Sequence, residues 1–301
     1  MAFKKNTAIV GHWNQVTQYR SSNTKAKKWI EKATILLDSF KYIRKFQGKT
    51  IVIKAGGETL EKNLSKIIRD IVFLHDAGVK VVFVHGGGKE ISEELNKKRI
   101  KPVFSGGLRV TDGRTMDIVE QVLLRINKRI ISEFRRHKVR AMGLSGRDAG
   151  LLQCVQKERK LGRVGKIVSV NTELADALLQ DGILPVVCTV GVGKHGESLN
   201  VNADEAASSL ASRLCAEKLT VITNVDGILS QGLLVSSVTS TVAEEMISKG
   251  IISGGMIPKV RSCTSAVNAG VKKAHIINGL VPHALLLELY TKQGIGTEVL
   301  A

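Results

Sequence analysis

Short apolar runs, each closed by glycine and followed by a stretch of helical spacing, recur from residue 50 onward, and this alternation restricts the fold most. Residues 50–54, Thr-Ile-Val-Ile-Lys, read as a buried strand and Ala55-Gly56-Gly57 as its closing turn. Leu64, Ile67, Ile68, Ile71 and Leu74 then fall on one helical face, which predicts a helix ending at Gly78. A second strand over 79–84 closes on His85-Gly86-Gly87-Gly88 and leads into a short helix from about Lys89. The same reading predicts helices over 116–137, 204–215, 242–249 and 256–269, and strands over 141–144, 184–190, 219–223 and 273–277. Strands alternating with helices give an α/β fold, a mainly parallel sheet covered on both faces. Ligands of such sheets sit at the carboxyl ends of the strands, where both glycine turns fall.

Ahead of this pattern, Trp29, Ile30, Ala33, Leu36, Leu37, Phe40 and Ile43 recur at helical spacing, predicting an amphipathic helix that ends near Gly48. Residues 1–24 carry Lys4, Lys5 and Arg20, contain no acid and lack the apolar core of a secretory signal. They read as a disordered or partner-dependent arm, with an organelle transit peptide as the alternative.

The chain has 301 residues and is 43% hydrophobic, enough for a substantial core and too apolar for a disordered chain. It lacks the run of about 18 apolar residues that a membrane-spanning helix needs. A net charge of +18, from 45 Lys+Arg against 27 Asp+Glu, leaves nucleic acid, an anionic membrane surface and acidic small molecules open. The basic stretch 125–140 keeps Ile126, Ile130, Ile131 and Phe134 at helical spacing and reads as a solvated helix face. Cys154, Cys188, Cys215 and Cys263 form no C-x-x-C pair, so they read as small buried hydrophobes in a reducing compartment.

Neither a Walker A loop nor G-x-G-x-x-G is present, but two glycine turns at equivalent positions bring backbone N–H groups close to an anion. Lys54 ends an apolar strand, where an unpaired ammonium is costly, and suits a phosphate-binding point charge. Phosphoryl transfer calls for more than one cation, and Lys259 is a second from a distant segment. Asp204, in Asn200-Val-Asn-Ala-Asp204, is either a helix N-cap or first-turn acid, or a carboxylate that holds both ammonium groups. Arg109 offers a bidentate fork for a carboxylate.

Taken together, IVIKAGG, VVFVHGGG, GLRVTD, GLSGRD, LNVNAD, ITNVDGIL, ISGGMIPKV and VPHALLLELYTKQGIGT, in this order, resemble the acetylglutamate kinases of the amino acid kinase superfamily over roughly residues 28 to 301. The resemblance implies a three-layer αβα sandwich around a mostly parallel sheet, with an N-terminal extension helix over 25–48. It implies an acyl amino acid-binding and dimerisation lobe over 49–195 and an ATP-binding lobe over 196–301. The γ-phosphoryl of MgATP would pass to the side-chain carboxylate of N-acetyl-L-glutamate, in a cytoplasmic step toward arginine. By motif, Lys54 and Lys259 would stabilise the transferring phosphoryl and Asp204 would orient them. Gly56, Gly57, Gly86 and Gly87 would supply backbone donors, and Arg109 and Asn200 would hold the acyl amino acid. Asn224, Val225, Asp226, Gly227, Ile228 and Leu229, with Ile251, Ile252 and Ser253, would line the nucleotide pocket. Magnesium would be held chiefly by ATP and water, with no all-protein metal site.

The N-terminal helix resembles that of arginine-inhibited members, which implies a homo-oligomer, either a dimer or a hexamer built as a trimer of dimers. Lys218, His283, Glu288 and Gly294 would be the arginine contacts. The chain departs from the family pattern in the run Ala55-Gly-Gly-Glu58-Thr-Leu60, where Tyr-Gly-Gly-Asn-Ala-Met is usual, and in Lys89 for Pro, Gly106 for Asn and Asn224 for Asp. These departures leave two other readings beside the main one. The first is a kinase for an aminoadipate derivative; the second is a non-catalytic arginine-sensing module. No aromatic-rich RNA-binding motif accompanies the positive charge, and neither nucleic acid nor membrane is expected as a partner.

Overall fold

The computed structural model describes residues 24–291 and 294–301, so the expected arm lies almost wholly outside the described residues. The described residues divide into two compact units, one before Lys45 and one from Lys45 onward. The helix α1 (Thr24–Phe46) occupies the first and ends two residues into the second. Its Trp29, Ile35, Leu36, Leu37 and Phe40 are exposed.

The second unit is built on an eight-stranded sheet. Its central strands are β1 (Thr50–Ala55) and β2 (Lys80–His85), joined by α2 (Glu58–Asp76). After β2 come α3 (Gly88–Lys97), the small hairpin β3 (Phe104–Ser105) and β4 (Leu108–Arg109), α4 (Gly113–Arg136) and β5 (Ala141–Ser145). A second, four-stranded sheet contains β6 (Leu152–Gln156), β7 (Gly165–Val170), β9 (Val190–Val192) and β10 (Ser198–Asn200). Between its halves the chain returns to the main sheet through α5 (Glu173–Gln180) and β8 (Leu184–Cys188). The last third runs α6 (Ala203–Arg213), β11 (Lys218–Thr223), the hairpin β12 (Leu229–Ser230) and β13 (Leu233–Leu234), then β14 (Ser237–Thr239). It ends with α7 (Ser240–Ser248), α8 (Met256–Asn268), β15 (Lys273–Asn278), α9 (Ala284–Tyr290) and β16 (Thr297–Leu300). The main sheet has the order β14-β16-β15-β11-β1-β2-β8-β5 and is parallel from β15 to β5, with β16 antiparallel to β15.

Side chains alternate across a strand, so each central strand faces two helical layers. Val52, Val84 and Val221 share one cluster with Leu178 of α5, Ala207 of α6, Ala243 of α7 and Val260 of α8. Residues of opposite parity face α4, where Phe83 meets Phe134 edge to face at 6.3 Å. Burial on both faces explains why β1 and β2 read as continuous apolar runs.

Two expectations are corrected. Cys154, Cys188 and Cys263 are buried, but Cys215 is exposed, at a left-handed turn with φ 48° just past α6. The four-stranded sheet was not foreseen, because β6 and β7 are half exposed and separated by the charged Lys157, Glu158, Arg159 and Lys160. The basic face of α4 is partly paired, Arg129 with Glu90 at 2.7 Å and Arg136 with Glu133 at 2.6 Å, at exposed positions where such pairs contribute little. Among the described residues no helix is long and apolar enough to cross a membrane.

Candidate active site

Strand parity decides where the first cation goes. Lys54 shares the face of Val52, toward α6, and there it meets Asp204 in the first turn of that helix. Lys54 Nζ lies 2.8 Å from Asp204 Oδ1, and Lys259 Nζ, from α8, lies 3.9 Å from Oδ2. The N-cap of α6 is Asn202, whose Oδ1 accepts from the N–H groups of Asp204 at 2.9 Å and Glu205 at 3.1 Å. Asp204 is therefore released from capping and is buried between two ammonium groups. Burial alone would raise its carboxyl, but Lys54 and Lys259 outweigh that and hold it below the usual carboxylate range. Burial also lowers Lys259, against the pull of Asp204.

These three residues line a cavity of about 300 Å³ together with Gly56, Gly57, Glu58, Thr59, Thr223 and Asn224. An adjoining cavity of about 160 Å³ holds Arg109, Phe104, Thr189 and Asn200. Gly86, Gly87, Gly88, Asn202 and Ala203 belong to both, so the triple-glycine turn is the wall between them. Close approach keeps this wall free of side chains, since a Cβ on Gly86 would sit 3.2 Å from Ala203 Cβ. In the smaller cavity, Arg109 Nη2 donates to Gly88 O and Ser92 Oγ, both at 2.8 Å, and its guanidinium stacks 4.7 Å over Phe104. Its buried Nη1 has no protein partner, which leaves a directed donor for an acidic ligand. Asn200 Nδ2 donates to Thr111 Oγ1 at 3.1 Å.

The residues expected along the nucleotide pocket divide. Asn224 lines the larger cavity, whereas Ile228 and Ile252 are buried in the hydrophobic core. Val225, Leu229 and Ile251 are exposed; Asp226 accepts from Asn278 Nδ2 at 2.8 Å. Gly227 adopts φ 148°, and a Cβ there would approach Thr297 Oγ1 to 2.5 Å. Ser253 is exposed beside α8. Lys218, Glu288 and Gly294 come together away from both cavities. Glu288 Oε1 is 3.3 Å from Lys218 Nζ and 2.8 Å from His275 Nε2, and its Oε2 accepts from Ile295 N at 3.1 Å. A Cβ on Gly294 would lie 2.7 Å from Glu288 Oε2. His283 stands apart from this group, its exposed ring 2.8 Å from Asp70.

Two of the departures meet across the cleft. Asn224 Nδ2 donates to Glu58 Oε2 at 3.0 Å, and Lys62 Nζ lies 2.5 Å from Glu58 Oε1. Lys89 pairs with Glu61, and Gly106 takes a left-handed φ of 57° in the β3–β4 hairpin. Sequence reasoning passed over Asn202, Phe104 and Thr189. Only Asn202 carried a signal, as an N-cap type directly before α6.

With this geometry in place, residues 49–278 match the amino acid kinase family. The chain is 48% identical over 291 residues to the acetylglutamate kinase of Aquifex aeolicus, covering 90% of this chain and 98% of that one. It is 46% identical over 275 residues to the acetylglutamate kinase of Kosmotoga olearia, covering 89% and 97%. Among solved structures, the N-acetylglutamate synthase of Neisseria gonorrhoeae complexed with coenzyme A and L-arginine aligns at TM-score 0.78 and 25% identity. That alignment covers 89% of this chain and 65% of the synthase. Giardia carbamate kinase aligns at TM-score 0.65 and 17% identity, a likeness of fold.

Proposed function

This chain belongs to the amino acid kinase family, and from that premise we infer how its site works. It is an ATP-dependent kinase that transfers the γ-phosphoryl group to the side-chain carboxylate of N-acetyl-L-glutamate, giving the acyl phosphate in amino-acid biosynthesis. The observation that carries the assignment of parts is Asp204, one buried carboxylate holding Lys54 and Lys259 beside the turn that separates the two cavities.

The smaller cavity takes acetylglutamate, with Arg109 on its α-carboxylate and Asn200 on its amide region. The larger takes the phosphates, with Gly56, Gly57, Gly86 and Gly87 offering backbone N–H groups. The acceptor carboxylate is ionised at neutral pH, so it needs no general base. One of its oxygens bonds to the γ-phosphorus as the bond to the β–γ bridging oxygen breaks, and ADP leaves with that oxygen. Lys54 and Lys259 neutralise charge on the transferring group, and alignment does the rest. Among the described residues no group of three or more His, Cys, Asp or Glu side chains gathers to hold a metal, and Asp204 is committed to its lysines. A divalent metal, Mg2+ in this proposal, would accompany the ATP phosphates and supply positive charge there.

The proposal extends to arginine as effector and to a homo-oligomer acting in the cytoplasm. Supporting the first is Glu288, a buried carboxylate suited to a guanidinium, with Lys218 and Gly294 beside it. The exposed apolar residues of α1 support the second. Hydroxylamine trapping of the acyl phosphate tests the reaction, with N-acetylglutamate, its aminoadipate homologue, and added arginine as arms. Hydroxamate formed with acetylglutamate and suppressed by arginine is expected. Turnover of the homologue alone would overturn the acceptor assignment, and an arginine-indifferent rate the effector.

A further inference from the structure

The residue that leads into the triple-glycine turn is a histidine without solvent access. His85 is 0% exposed, and its pairing opposite Ala55 gives it the parity of Phe83, toward α4. Its Nδ1 lies 3.3 Å from Gly86 O, and its Nε2 lies 3.1 Å from Asn127 Nδ2. A carbonyl oxygen only accepts and an amide nitrogen only donates, so the proton sits on Nδ1 and the lone pair on Nε2. Asn127 Nδ2 also donates to Val186 O at 2.9 Å, which uses both amide hydrogens. Burial pushes the His85 imidazole down to about 4, so the ring is neutral at physiological pH and keeps this tautomer. Asn127 itself is buried within α4, where asparagine is a poor helix former and has to be accommodated. Gly143 accommodates it: a Cβ there would collide with Asn127 Oδ1.

The consequence lies in the next peptide. The Gly86–Gly87 bond is trans, so its C=O and N–H point in opposite directions. With the oxygen turned to the buried ring, the Gly87 N–H is turned away from it, and both Gly86 and Gly87 line the cleft. Gly87 is braced from the same helix, since a Cβ there would lie 2.6 Å from Ile126 Cδ1. Thus consecutive residues of α4, Ile126 and Asn127, hold the turn from behind.

We propose that His85, held by Asn127, is a positioning residue that sets the Gly86–Gly87 peptide so that the Gly87 N–H donates to the anion in the phosphoryl-transfer site. The proposal rests on the reading of the cleft as an acetylglutamate kinase site. A donor fixed in advance needs no reorganisation as charge shifts in the transition state, so its loss falls on kcat rather than on substrate binding.

Two conservative replacements separate this role from simple packing. Asparagine at 85 places an amide where Nδ1 was and keeps the donor to Gly86 O; glutamine places its amide where Nε2 was and keeps only the Asn127 contact. Steady-state kinetics with acetylglutamate and MgATP would be paired with thermal melting. His85→Gln is expected to lose on the order of 10²-fold in kcat, with both KM values within about twofold of wild type. His85→Asn should stay within about fivefold in kcat even where its melting temperature is the lower of the two. Losses that track melting temperature in both variants, or a wild-type kcat in His85→Gln, would overturn the proposal. Should either variant fail to fold, Asn127→Ala provides the same split: a kcat loss of about tenfold at unchanged KM supports positioning, and an unchanged kcat refutes it. A wild-type protein that shows no acetylglutamate-dependent turnover would instead overturn the reading of the cleft, and the proposal with it.

Discussion

A carboxylate between two ammonium groups sets the charge of the larger cavity. Asp204 cannot be exchanged for its amide at little cost, because the loss leaves Lys54 buried without its ion pair and Lys259 free to swing. Asp204→Asn keeps the shape and the cap supplied by Asn202, so α6 should remain folded. Its kcat should fall by roughly 10²-fold while KM for acetylglutamate holds, since Arg109 and Asn200 line the other cavity. The pH profile gives an independent sign. Burial already lowers Lys259 and Asp204 opposes that, so removing the carboxylate lowers the ammonium further. Activity of the variant should therefore be lost at a lower pH on the alkaline side than in wild type. An unshifted alkaline limb would show that Lys259 does not act as a cation in the reaction.

At the level of elements, the rim of the cleft is tied together by residues that depart from the family pattern. Glu58 opens α2, where a negative charge suits the helix N-terminus, and that same N-terminus is where an anion would bind. Asn224, at the exit of β11, donates to Glu58, and Lys62 one turn along α2 partly neutralises it. Lys89 on α3 pairs with Glu61, so α2 is linked by side chains to both neighbours. An aspartate at 224 would face Glu58 with like charge, which gives the asparagine a physical reason. Glu58→Gln removes the charge and keeps an acceptor for Asn224, so KM for ATP should fall by about two- to fivefold with kcat unchanged. Because the group is exposed, the difference should shrink in high salt. A KM that does not move at low salt would mean that the phosphates pass out of reach of Glu58.

Across the whole molecule, what could be read from the chain follows burial. β1, β2 and β11 are covered on both faces and announce themselves as apolar runs, and the glycine turns mark the carboxyl ends of β1 and β2. The second sheet escaped because half of its residues face outward, and His85 escaped because a histidine before three glycines reads as part of a turn. The pairing of Asp204 with two lysines requires the crossing of β1, α6 and α8, which no local pattern encodes. The same holds at the opposite end of the strands, where Glu288 of α9 joins Lys218 at the start of β11 to His275 of β15. Burial would raise the Glu288 carboxyl, yet His275 and Lys218 pull it down to about 2. A carboxylate lowered in the folded state stabilises it above the ordinary value and loses that contribution as pH falls through the lowered one. Burial also lowers His275, so the unfolded chain binds its proton first and acid acts in the same direction. Glu288→Gln should therefore be less stable than wild type at pH 7, where it leaves Lys218 buried and unpaired. The gap should close between about pH 4.5 and pH 2, at up to about 1.4 kcal/mol per pH unit, as the wild-type carboxylate takes up its proton. Denaturant midpoints of both proteins at several pH values measure that gap directly; a constant difference down to pH 2 would show that the cluster holds α9 to the sheet by packing and not by charge.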